Sequence, residues 1–186
     1  MFNVVLISLA LSGLAPGGSA VTSDLPMVFP QQAPVTHFTD SFGAPRTGHR
    51  HEGNDLMAPK MTEVYAAAPG TVRWVRDHGT AGRYVVIDHG HGWETWYMHL
   101  NDDTPGTDDG RAPMSSGVAV EVGDTVQAGQ LIGWVGDSGN AEGSSPHTHF
   151  EIHHDGKAID PYPYLVPAFD AVLVFDKLHM AEVNVR

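Results

Sequence analysis

"SSPHTHFEIHHDG", residues 144–156, holds four of the chain's twelve histidines within eight positions. Side chains alternate along a β-strand, so residues two apart share a face. As a strand, this stretch sets His147, His149, Glu151 and His153 on one face and Phe150 and Ile152 on the other. The apolar pair makes a buried side, which leaves the histidine face for chemistry. His147 and His149 then stand side by side, roughly 6.6 Å apart at about 3.3 Å per residue. Zinc–nitrogen bonds are only about 2.0–2.1 Å long, so one imidazole can bind an ion while its neighbour faces the adjoining ligand position.

The same texture continues outward. "GTVRWVRDHG" (70–79), "GRYVVIDHGHG" (82–92) and "WETWYMHL" (93–100) are β-branched and aromatic runs bounded by glycines, the signature of hairpins. "EVGDTVQAGQLIGWVGDSGN" (121–140) repeats it, punctuated by Gly123, Gly129, Gly133, Gly136 and Gly139. Amphipathic helical periodicity is almost absent before residue 165. The body therefore reads as mostly antiparallel β, built from short strands and tight turns.

A chain of 186 residues is most economically one domain. A folded body of about 150 residues buries roughly 68–70% of its unfolded surface and needs no covalent staples. The absence of cysteine excludes disulfides, thiolate metal sites and cysteine nucleophiles. A net charge of -12 argues against a nucleic-acid partner, which calls for a basic face. Residues 1–20 carry no charged side chain, and their apolar run from Phe2 to Leu14 ends in Gly-Gly-Ser-Ala. They read as a signal peptide and imply export, although the start lacks Lys or Arg. No transmembrane segment is expected elsewhere. Residues 21–37 read as an extended lead-in, 38–165 as the functional domain, and 166–186 as a tail, strand or helix, that the pattern does not decide. Asn101 to Gly117 is a polar loop with four aspartates. Without EF-hand spacing it reads as solvated, and a loop of this length is usually functional or mobile.

"RHEGNDLMAP" (50–59) offers further ligands, His51 and Asp55. On a straight strand these lie about 13 Å apart, too far to share an ion. They converge only if the chain bends, and Gly53 supplies the freedom. His51, Asp55 and His149 then make a three-ligand site with a fourth position for water, the plan of a catalytic zinc centre. His99, closing the aromatic strand, stands beside His147 to manage protons. An N/O donor set points to zinc or a similar borderline ion. His49 competes weakly, lacking a carboxylate four residues on; His153 reads as running past the site. His37, His78, His89, His91, His154 and His179 read as ordinary surface or hydrogen-bonded residues.

Together these pieces resemble the lysostaphin-type (LytM-type) zinc metallopeptidases. The resemblance runs from about Phe38 to Leu165, through "FGAPR", "HRHEGNDLMAP", "VYAAAPGTVRWV", "YVVIDHGHGWETWYMHL", "VEVGDTVQAGQLIGWVGDSGN" and "PHTHFEI". It implies a small open antiparallel β-sheet groove related to the barrel-sandwich hybrid architecture. It also implies zinc on His51, Asp55 and His149, catalytic histidines at His99 and His147, and peptidoglycan peptide stems or cross-bridges as substrate. Thr148 stands where the family commonly has leucine; facing away from the metal, it should alter packing and spare the chemistry. The competing expectation is a non-catalytic, wall-binding regulator of other wall hydrolases.

Overall fold

The computed structural model describes residues 25–183; the candidate signal peptide at 1–20 lies outside the described residues. Eleven strands follow one another before a single α-helix. They are β1 (Pro45–Arg46), β2 (His49–Arg50), β3 (Asn54–Met57), β4 (Glu63–Tyr65), β5 (Gly70–Asp77) and β6 (Arg83–Gly90). Next come β7 (Trp93–Leu100), β8 (Thr125–Val126), β9 (Leu131–Trp134), β10 (His147–His154) and β11 (Lys157–Ile159), then α1 (Tyr162–Val183). The main sheet has seven strands in the order β11-β10-β7-β6-β5-β8, with β3 also on β10; β1-β2 and β4-β9 form two-stranded sheets. All the pairings are antiparallel and no sheet closes on itself.

On one edge β10 pairs with β7 opposite 149–154, with Gly136 bridging His147, while the other edge is shared by β3 opposite 147–150 and β11 opposite 152–154. Phe150 and Ile152 point into the core, as alternation requires, with Tyr97, Ile87, Val85, Val72 and Leu56. His149, Glu151 and His153 face the opposite, groove side, opposite Met98, Trp96 and Glu94 of β7.

From Leu25 onward the lead-in is irregular chain interrupted by a 3-10 turn at Ala33–Val35, and it is bound to the body. Leu25, Phe29 and Ala33 are buried, and the backbone bonds of Val28 to Ala67 and of Tyr65 to Pro30 tie the segment down. Phe29 and Phe38 meet Phe169 of α1 at 4.9 and 5.3 Å between ring centroids. The tail is thus a helix, capped by the Asp160 carboxylate accepting from the Tyr162 N–H at 2.9 Å. Its buried face carries Leu165, Ala168, Phe169 and Val172, but Val174 and Phe175 are apolar and exposed, so the stripe is blurred and periodicity could not separate helix from strand.

The acidic loop is solvent-exposed from Thr104 to Arg111, as expected, and two cations tie it to the body. Lys60 binds Asp103 at 2.6 Å and Asp137 at 2.7 Å, and also pairs with Asp108. The buried Arg83 guanidinium donates to the carbonyls of Asn101 (3.1 Å), Ala112 (2.5 Å) and Pro113 (2.9 Å). These cations were not linked to the loop by sequence spacing, since they lie far from it along the chain.

Thr148 is 1% exposed on the core side, and its hydroxyl has no hydrogen-bond partner. A buried, unpaired polar group costs about 1–3 kcal/mol. Thr148→Val should therefore stabilise the protein by roughly 1 kcal/mol, seen as a higher urea midpoint with an unchanged slope; a lower midpoint would refute this.

Candidate metal centre

Register brings the first two expected ligands together. Asp55 of β3 is the direct antiparallel partner of His149 of β10, and directly opposed residues project from the same face. His51 arrives through the bend at Gly53. A Cβ at that position would lie 2.3 Å from the Phe150 carbonyl oxygen and 3.0 Å from His149 Nε2. Only glycine allows the chain to cross β10 so closely. The His51 backbone is then fixed, its N–H donating to Ala44 at 2.9 Å and its carbonyl accepting from Gly43 at 2.8 Å.

His99 reaches the site by a different device. Simple alternation after Tyr97 and Met98 would turn its side chain toward the core. A register shift between β6 and β7 opposite this point, with His99 at φ 61°, turns the ring to the groove instead. A non-glycine residue in this region is uncommon and costs of order 1–3 kcal/mol. Its ring centroid lies 5.0 Å from that of His147 and 6.1 Å from that of His149.

The inner atoms of the expected ligands form a tight triangle. His51 Nε2 lies 2.9 Å from His149 Nδ1, and each lies 3.0 Å from Asp55 Oδ1. The outer nitrogens decide where the protons are. His51 Nδ1 lies 2.9 Å from the Ser41 carbonyl, and His149 Nε2 lies 2.8 Å from Glu151 Oε1. Both oxygens only accept, so both outer nitrogens carry N–H. In the neutral rings, His51 Nε2 and His149 Nδ1 are then bare lone pairs, facing each other and a carboxylate oxygen. Three acceptors at this spacing require a cation between them. Donors about 2.0–2.1 Å from a tetrahedral zinc ion stand about 3.3 Å apart, close to the spacing found here. The donor set fits zinc.

His99 and His147 follow the same pattern. His99 Nδ1 is 2.9 Å from the Ser138 carbonyl, and His147 Nδ1 is 2.8 Å from that of Ser145. Their Nε2 atoms are left toward the cavity, His147 Nε2 being 3.8 Å from Asp55 Oδ1. Burial, reinforced by the His147 and His149 charges, pushes His99 down to about 4, so it is neutral at pH 7. His149 goes the other way. Its burial favours the neutral ring, but the Asp55 and Glu151 carboxylates outweigh this and raise it to about 9. Asp55 is itself held well below the usual carboxylate range; its burial is overcome by His149 and His51.

Glu151 is the functional residue that spacing alone did not single out. It is 5% exposed and bridges His149 Nε2 at 2.8 Å to His153 Nε2 at 2.6 Å. Its place on the histidine face was visible in the H-x-H-x-E-x-H alternation; that it fixes the His149 tautomer required coordinates. His153 does run past the triangle, stacking on Trp96, but it holds Glu151. His49 lies on β2, exposed, with its ring at the Thr47 carbonyl and outside the triangle.

The histidines open on a cavity of about 880 Å³. Its walls are the β1-β2 hairpin, the Thr80–Ala81 turn and the Asn140–Ser144 segment. The 101–117 loop is not among its lining residues. It is drawn instead to Lys60 and Arg83.

Residues 49–161 match the model of peptidase family M23, and the chain belongs to this family. It is 34% identical over 122 residues to the peptidoglycan DD-endopeptidase ShyA of Vibrio cholerae, covering 66% of this chain and 24% of that one. A zinc-containing peptidase from Vibrio cholerae superposes with a TM-score of 0.57 and 29% identity, over 70% of this chain and 37% of the other. The lysostaphin catalytic domain from Staphylococcus simulans gives 0.57 and 28%, over 70% of this chain and 92% of that domain. The chain spans about a quarter of the length of the curated relatives it matches.

Glu151→Gln keeps the shape but removes the charge behind His149. Zinc affinity should fall about 10- to 100-fold, as for other lost partners of ligating histidines, in a competition titration against a chromophoric chelator; equal affinity would contradict this account. In the metal-free protein, protonated His149 stabilises the fold fully below its unfolded value of 6.5, and this is lost as pH rises through about 9. Zinc must displace that proton. Calorimetry in buffers of different ionisation enthalpy should detect proton release at pH 7.5 and tighter binding toward pH 9; release of no proton would be the contrary result.

Proposed function

We propose that this chain is a zinc-dependent endopeptidase that hydrolyses peptide bonds in the stems or cross-bridges of peptidoglycan, and that it acts after export. The observation carrying this reading is the convergence of acceptor nitrogens and one carboxylate oxygen on one cavity: His51, His149 and Asp55 as metal ligands, His99 and His147 beside them. The peptidoglycan DD-endopeptidase ShyA and the zinc-containing peptidase among its relatives support it. Zinc, when held by the three ligands, supplies Lewis acidity for a carbonyl and for water.

The protein's own residues do the rest. Glu151 keeps His149 Nδ1 aimed into the cavity. Ser138 keeps His99 Nε2 free to receive a proton, and low basicity keeps that nitrogen open at neutral pH. His147, anchored at Ser145, presents its Nε2 beside it, and the proton that His99 takes from water is returned to the leaving amine through this pair. The wall-binding regulator is the weaker reading, because all five site positions are filled by groups able to do this chemistry. Export rests on the candidate leader; no helix among the described residues is long and apolar enough to cross a membrane.

Release of amino groups from purified peptidoglycan by the chain from residue 21 onward, with bound zinc counted in the same sample, tests this. Release should require zinc and disappear in His149→Ala. His147→Ala and His99→Ala should keep zinc while turnover falls about 10²–10⁴-fold. Stoichiometric zinc without release from several wall types would overturn the endopeptidase reading.

A further inference from the structure

Arg46 projects from β1 into the histidine cavity, and its Nη2 donates to Asp55 Oδ2 at 2.9 Å. The Asp55 carboxylate is thereby divided, with Oδ1 on the histidine triangle and Oδ2 on the guanidinium. A single carboxyl group thus separates Arg46 from the metal ligands. The guanidinium has five N–H donors in a planar fork, and Asp55 Oδ2 takes only one direct bond. The side chain is 44% exposed, so the rest of the fork faces the open cavity.

The hairpin that carries Arg46 is built to hold it there. β1 and β2 pair with Arg46 opposite His49, across a turn in which Gly48 takes φ 82°. Arg50 Nη1 ties the hairpin base to the Gly43 carbonyl at 2.8 Å, next to the backbone that fixes His51. Among the described residues, Arg46 is also the only Lys or Arg lining the cavity. Of the lining carboxylates, Asp55 and Glu151 are bonded to histidines, and Glu52 stands exposed at the rim. A planar cation with unused donors beside a hydrolytic centre matches a carboxylate, which a guanidinium binds bidentately.

We propose that Arg46 is a specificity-determining residue that binds a free carboxylate on the substrate residue contributing the leaving amine. This rests on the endopeptidase reading above and narrows its substrate to peptide bonds with a free carboxylate beside the scissile nitrogen. Such a group lies two bonds from that nitrogen, on the same scale as the single carboxyl group between Arg46 and the ligands. Arg46 acts on binding and orientation; it holds no proton in the reaction.

Two branched peptides test this, identical except that the residue supplying the leaving amine, itself held in the chain through its other end, carries beside that amine a free carboxylate or a primary amide. With the zinc-loaded full chain, kcat/KM should favour the acid about 10- to 100-fold, mainly through KM, the range for a lost charge-assisted hydrogen bond. Arg46→Gln should reduce that preference to near unity while still binding one zinc; Arg46→Lys should keep part of it. Equilibrium binding of the acid and amide forms of the amine-side product to the metal-free chain gives a readout independent of turnover. The acid should bind more tightly to the wild type and lose that advantage in Arg46→Gln. Equal binding and cleavage of both forms by the wild type, or a preference that survives Arg46→Gln, would overturn the proposal. Acid-selective, Arg46-dependent binding without cleavage would keep the carboxylate site and refute the endopeptidase reading.

Discussion

The site depends on one repeated interaction, the bond between the outer nitrogen of a histidine and an oxygen that can only accept. Ser41, Ser138 and Ser145 supply backbone carbonyls to His51, His99 and His147, and Glu151 supplies a carboxylate to His149. Each bond fixes a tautomer and a ring orientation, so four inner nitrogens are presented as acceptors to the same space. Without those anchors the rings could rotate and share protons among themselves. With them, the triangle formed with Asp55 needs a positive charge at its centre. A proton meets that need in the metal-free protein, which is why His149 is held up at about 9.

The rest of the fold keeps those anchors in place. Ser138 does so on three sides: its carbonyl accepts from His99, its hydroxyl donates to Leu100 at 2.7 Å, and that hydroxyl accepts from the Arg83 N–H at 2.9 Å. The preceding Asp137 is bound by Lys60, which also holds the acidic loop. Order in a loop that does not line the cavity therefore bears on the orientation of a histidine that does. Strain at His99 is carried in the same region, where a left-handed backbone is held between the main sheet and the Ser138 bond. Backbone strain of this kind persists only where the surroundings over-determine it.

Much of this was legible in the sequence. Alternation in "HTHFEIH" separated groove from core correctly, because a period of two leaves little freedom once Phe150 and Ile152 are buried. The bend between His51 and Asp55 followed from distance alone, and Gly53 is where the close crossing occurs. Three features lay beyond pattern reading. The turn of His99 toward the groove depends on a local register shift that reverses alternation. The docking of Phe29 and Phe38 against Phe169 joins segments far apart in the chain. The order of the acidic loop comes from Lys60 and Arg83, whose partners no spacing rule names.

The central claim is that two imidazoles and one carboxylate, held as bare acceptors, constitute a zinc site. Zinc K-edge X-ray absorption on the chain loaded with one equivalent tests it most directly. The account predicts two imidazole nitrogens at about 2.0–2.1 Å, with the remaining short contacts to oxygen, and loss of one imidazole contribution in His149→Ala. A spectrum with all-oxygen coordination, or one unchanged by His149→Ala, would contradict it.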